Sequence, residues 1–183
     1  MIRSGKKNGY SLVELLVVVA LLGIVLSVAV PALSSATVGM QRSSLVNSYF
    51  AGLLFTRSEA AKRRVRIVMC KASSFTACSP SGTWDQGWLI FHDANNNALL
   101  DAGEAVLQYQ QGFPADWSLT GNLHVSRYIS YTPTGDAKLT SGAMQIGTLT
   151  LCKRSTGATE ASQIVISSSG RPRTRKVTLL SCE

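Results

Sequence analysis

Gly9-Tyr10-Ser11-Leu12-Val13-Glu14 opens an apolar run that continues to about Leu33, and Glu14 is the only side chain in it that is charged at neutral pH. The eight residues before it carry Arg3, Lys6 and Lys7. Residues 15–33 are close to the roughly 20 that take a helix across the hydrocarbon of a bilayer. Cations ahead of the run orient such a helix with its N-terminus in the cytoplasm, so everything past Leu33 is exported. A cleaved secretory signal has a shorter apolar core followed by a small-residue site, and this run is long for that. A plain anchor fits the length but leaves Glu14 unexplained, because a lone carboxylate bordering an apolar helix is costly to bury without a partner.

Taken in order, Gly9, Tyr10, Ser11, Leu12 and Glu14 resemble the prepilin motif of type IV pilins and type II secretion pseudopilins, with Tyr10 where phenylalanine is usual. The resemblance implies a leader, residues 1–9, removed after Gly9 by a prepilin peptidase that then methylates the new amine of Tyr10. It implies an inner-membrane, single-pass precursor with a periplasmic C-terminal part that later joins a pilus. It also implies that Glu14 pairs with the Tyr10 amine of a neighbouring major or minor pilin. Each charge then supplies the partner that burial among apolar helices demands of the other.

Beyond the assembly helix, residues 10–33, the apolar positions Val38, Leu45, Val46, Tyr49, Leu53, Leu54 and Ala61 recur at spacings of three, four or seven. That is the period of an amphipathic helix, expected over 34–65 as a continuation of the first. Pro31 removes one backbone donor inside it and is expected to loosen or kink the helix rather than end it. The basic cluster Lys62, Arg63, Arg64 and Arg66 closes the helix. It reads either as cations complementing the helix dipole or as a patch for DNA.

From residue 66 the pattern changes to short β-branched and aromatic runs, at 66–70, 87–91, 106–109, 123–131, 144–152 and 163–168. Turn material such as Ser79-Pro80-Ser81-Gly82 and Thr134-Gly135-Asp136 separates them. A long helix followed by strands is an α+β pattern, with an antiparallel sheet covering the apolar face of the helix over residues 66–183. Cys70, Cys78, Trp84, Gly87-Trp88, Phe91 and Asp93 resemble the GspH/FimT/FimU group of minor pilins and pseudopilins. Trp84 and Trp88 read as core aromatics or as a ligand platform.

Cys70, Cys78, Cys152 and Cys182 all follow the membrane segment, where an oxidising compartment makes disulfides the default. Four cysteines allow three connectivities. Pairing Cys70 with Cys78 and Cys152 with Cys182 is favoured because each pair brackets one local segment. Zinc is not indicated, since there is no CxxC pair and no nearby histidine set. Asp93, Asn95, Asn97, Asp101 and Glu104 stand at positions 1, 3, 5, 9 and 12 of an EF-hand-like calcium loop. Ala98 occupies the place where the sharp turn wants glycine, and the flanks read as strands. The competing reading is a polar hairpin loop, with no cofactor bound.

The 183 residues carry 18 Lys and Arg against 10 Asp and Glu, a formal charge of +8 that falls to +5 without the leader cations Arg3, Lys6 and Lys7. The excess suggests an anionic partner such as nucleic acid or a membrane surface. It concentrates in Gly170-Arg171-Pro172-Arg173-Thr174-Arg175-Lys176. If this stretch is extended, a period of two puts Arg171, Arg173 and Arg175 on one face, while Pro172 confines it to a sheet edge or an exposed loop. Three guanidiniums in a row suit phosphate, and the stretch resembles the Gly-Arg-x-Arg element of FimT-type minor pilins, which bind DNA in natural transformation. The alternative for Arg171, Arg173, Arg175 and Lys176 is a solvated basic loop or one docked on an acidic neighbouring subunit. His92 and His124, the only histidines, sit in no catalytic motif, so no enzyme is expected. The sequence reading is a DNA-binding minor pilin. A FimU-like pilin that primes assembly and a GspH-like type II secretion pseudopilin are its alternatives.

Overall fold

Ser11 starts the long helix. Its hydroxyl accepts the backbone N–H of Glu14 at 3.3 Å, the geometry of an N-cap, and Ser11 with Glu14 has the spacing of a capping box. The computed structural model describes residues 11–183. Helix α1 spans Leu12–Arg63 and runs through Pro31 without ending. The chain divides into two units, Met1–Gln41 and Arg42–Glu183. In the described part of the first, every side chain from Leu12 to Leu33 is exposed, an apolar surface of a length that suits a bilayer.

In the second unit, Arg42, Val46, Tyr49, Leu53, Thr56 and Ala60 form the buried stripe of α1, at alternating spacings of four and three. Leu54 and Ala61, expected on that stripe, are exposed instead. Polar and small residues take their share of it: Thr56 returns its hydroxyl to the Gly52 carbonyl at 2.7 Å. A Cβ at Gly52 would come within 3.0 Å of the Trp88 indole nitrogen, so glycine lets helix and sheet approach closely. Arg64, at φ 57°, takes the left-handed position that closes a helix.

The strands are β1 (Ile67–Lys71), β2 (Gly87–His92), β3 (Val106–Gln111), β4 (Trp117–Gly121), β5 (Tyr128–Tyr131), β6 (Gly147–Lys153), β7 (Thr159–Ile166) and β8 (Pro172–Leu179). They form two four-stranded antiparallel sheets, β3-β2-β1-β5 and β4-β6-β7-β8, where the sequence pattern suggests one. β1 and β2 are buried on both faces, which is why they read as unbroken apolar runs. Tyr49 packs edge-on against Trp84 and Trp88, with ring centroids 5.4 and 5.0 Å apart. Both tryptophans are core rather than a ligand platform, Trp84 0% and Trp88 1% exposed. Trp84 also donates to the Val125 carbonyl at 2.9 Å.

Both disulfides have the local pairing, Cys70 with Cys78 and Cys152 with Cys182. The first lies in a cluster with Val68, Leu89, Phe91 and Ala98 on one face of the first sheet. The second joins Ala161, Val177 and Leu179 at the end of the other.

Candidate functional site

The basic C-terminal stretch is a strand. Residues 172–179 of β8 pair antiparallel with β7 from Pro172 opposite Ile166 to Leu179 opposite Thr159. Among the described residues β8 has no further neighbour, so it is the sheet edge that Pro172 demands. Its start is set by the turn before it. Gly170 has φ 69°, and a Cβ there would lie 2.5 Å from the Gly135 carbonyl oxygen, which restricts the place to glycine. Arg57 on α1 holds the same corner, its Nε donating to the Gly135 carbonyl at 2.8 Å and its terminal nitrogen to the Ser169 carbonyl at 3.4 Å.

Strand alternation sorts the cations. Arg173 stands opposite Val165 and Arg175 opposite Gln163, on the face turned away from the buried Leu149, Leu151 and Ile164. Lys176 stands opposite Ser162, its alternation pointing to the other face of the strand. Arg171 precedes the ladder, with its carbonyl accepting the Ser167 hydroxyl at 3.3 Å. All three arginines are exposed, and among the described residues none of them has a carboxylate partner. The Arg175 Nε donates to the neutral Gln163 side chain at 2.7 Å.

Glu160, the nearest acidic residue on β7, is taken by Arg42, whose hydrogen bond and charge hold the Glu160 carboxyl below its ordinary range. Neither Arg42 nor Gln163 stands out in the sequence, because their roles depend on long-range pairing. At the helix end, Glu59 accepts Arg63 and lies 3.5 Å from Lys62, while Arg66 bonds to Ser130 and to the Lys138 carbonyl.

The 93–104 loop folds on itself. Asp93 accepts the N–H groups of Asn97 and Ala98, both at 3.1 Å, and Asp101 accepts the Asn95 and Asn97 amides at 2.8 and 2.7 Å. Glu104 accepts the N–H groups of Ala94 and Asp101. Ala98 adopts φ 59° where glycine is usual. Asp93, Asn95, Asn97, Asp101 and Glu104 each accept from donors of the loop itself, as a polar hairpin loop does. Glu14 is exposed near the start of α1, and Gly9 and Tyr10 lie outside the described residues.

Residues 45–170 match the family model described as type II transport protein GspH. The chain belongs to the GspH family. Its residues 4–30 match the prokaryotic N-terminal methylation motif, which spans Gly9, Tyr10 and Glu14 and implies a prepilin peptidase and pilin partners. Two crystal structures of the Pseudomonas aeruginosa type IV minor pilin FimU are similar in fold, each with a TM-score of 0.53 and 20% identity. They cover 77% and 82% of this chain, and 99% and 98% of their own. No curated protein matches the chain in sequence. A long helix on antiparallel sheets, with a methylation motif that runs into its first half, is the architecture of the GspH-family minor pilins and pseudopilins, a family of structural proteins. The family match ends at residue 170, so Arg171, Arg173 and Arg175 lie outside the matched residues.

Proposed function

We propose that this GspH-family protein is a minor pilin of the FimT kind that binds DNA without sequence preference through Arg171, Arg173 and Arg175, for natural transformation. One observation supports the reading above others: three exposed guanidiniums lie along one sheet edge with no carboxylate to neutralise them. Forked guanidinium donors suit phosphate oxygens, and a phosphate-driven contact is indifferent to sequence, as uptake of arbitrary DNA requires. In this reading the precursor is held in the inner membrane by the apolar part of α1. A prepilin peptidase processes it at Gly9 and Tyr10, and Glu14 seats it among major and minor pilins. Lys176 adds general positive potential from the opposite face.

Mobility shift of duplex DNA by the purified chain tests this directly. Retardation at low salt that fades as salt rises is expected, and its loss in the Arg171→Gln, Arg173→Gln, Arg175→Gln variant locates the contact. No retardation at any salt would sink the DNA reading. It would leave a FimU-like role in priming assembly or, as the GspH description suggests, a place in type II secretion.

A further inference from the structure

The solvent face of the β4-β6-β7-β8 sheet carries a groove of about 270 Å³, in which Thr120, Thr150, Gln163 and Arg175 form one row across all four strands. Asn122 and Thr148 close one side of it. The groove contains no carboxylate.

Each of its two amide oxygens already accepts one bond. Arg175 Nε donates to Gln163 Oε1 at 2.7 Å, and Gln163 Nε2 donates to Thr150 Oγ1 at 3.4 Å. Thr148 N–H donates to Asn122 Oδ1 at 2.8 Å. These contacts fix which end of each amide faces the protein, because an N–H must meet oxygen. What remains for a ligand is weighted toward donors: the terminal nitrogens of Arg175, the amide nitrogen of Asn122 and the hydroxyl hydrogens of Thr120 and Thr150. A sugar or a cation needs acceptors from its site, whereas phosphate oxygens only accept. With strands about 4.8 Å apart the row is about 14 Å long, the rise of about four base pairs. No aromatic side chain stands in it on which an unpaired base could stack.

We propose that this row is a track for the phosphodiester backbone of duplex DNA, entered at Arg175 and crossing the sheet from β8 to β4 rather than following the edge strand. The assignment rests on the DNA-binding reading above and adds neutral donors to it. Arginines set the long-range attraction, while Thr120, Thr150 and Asn122 set where the backbone lies.

Fluorescence anisotropy of a labelled duplex of about 20 base pairs, titrated with the full chain in neutral detergent over a range of salt, separates the two claims. Thr120→Val with Thr150→Val preserves side-chain shape in strands, and an unchanged thermal midpoint verifies the fold. Loss of two hydrogen bonds to a charged group is expected to weaken binding about tenfold or more. The slope of log affinity against log salt should stay as in wild type, since neutral groups release no counterions, whereas Arg175→Gln should flatten it by about 0.9. Thr174→Val, on the opposite face of β8, should leave affinity unchanged.

If wild type binds and the double valine variant stays within twofold of it, the track is refuted while the arginine edge stands. If Thr174→Val weakens binding as much as the double variant, the track is equally refuted. Binding by wild type to phosphatidylglycerol vesicles and not to duplex would give the groove to a lipid surface and overturn both claims, as would no binding to either.

Discussion

The molecule has two clusters of four basic residues, one at the end of α1 and one at the edge strand β8, and they differ in what surrounds them. At the helix end, Glu59 engages Arg63 and Lys62, Arg66 is spent on Ser130 and the Lys138 carbonyl, and Arg64 turns the chain. The helix dipole absorbs part of the remaining charge. Along β8, among the described residues, the only side-chain partner of an arginine is the neutral Gln163. A cation beside a carboxylate presents a dipole whose field fades quickly in salt water, whereas three unpaired guanidiniums keep their field. Equal counts of Lys and Arg thus give unequal attraction for an anion, and the difference lies in the partners.

The largest effect expected from breaking this contrast falls on the frame that holds β8. Replacing Cys152 and Cys182 by serine removes a crosslink between residues 30 apart. It should destabilise the fold by about 3–4 kcal/mol, read as a lower denaturant midpoint. Next comes the direct comparison. Gln at Arg171, Arg173 and Arg175 should flatten the salt slope by about 2.7 and weaken duplex binding by about two orders of magnitude at low salt. Gln at Lys62, Arg63 and Arg64 should change the affinity less than about threefold, since Glu59 already engages two of the three. The opposite order would move the interface to the helix end. Smaller again, Arg66→Ala should cost about 1–2 kcal/mol of stability in urea titration while leaving DNA affinity as it is.

The smallest effect is one of pH. The Arg42 hydrogen bond and charge lower the Glu160 carboxyl in the folded state. The unfolded chain therefore binds the proton first, at about 4.3. The pair stabilises fully above that value and loses its contribution as pH falls through the folded one. Glu160→Gln should flatten the fall of the thermal midpoint below about pH 5, and an unchanged acid limb would show that the pair is idle.

The helix and its motif were legible because a membrane-length apolar run and a 3.6-residue period are strong local signals. The sheets were legible only in part. Trp117-Ser118-Leu119-Thr120-Gly121 is too short and mixed to announce β4, and it exists because it pairs with β6. The expected strand over 123–131 is interrupted at Leu123, where φ 42° begins a short 3-10 helix through Val125. β7 starts at Thr159, four residues before its apolar end becomes visible, since Glu160 and Ser162 read as loop until β6 and β8 flank them. At the site, alternation separated Arg173 and Arg175 from their even-numbered neighbours in advance. Gln163, Arg42 and the donors across the groove depend on register between distant strands, which no local pattern encodes.

The Cys152–Cys182 bond has a mechanical meaning. An edge strand held by one ladder peels most easily from an end, rupturing its hydrogen bonds one at a time. Cys182 lies three residues past the end of β8 and is bonded to Cys152 of β6, so β7 and β8 belong to a closed covalent loop. A load applied at Arg173 or Arg175 reaches that bond before the strand can unzip from its C-terminal end. The strand that carries the arginines thereby resists peeling from that end.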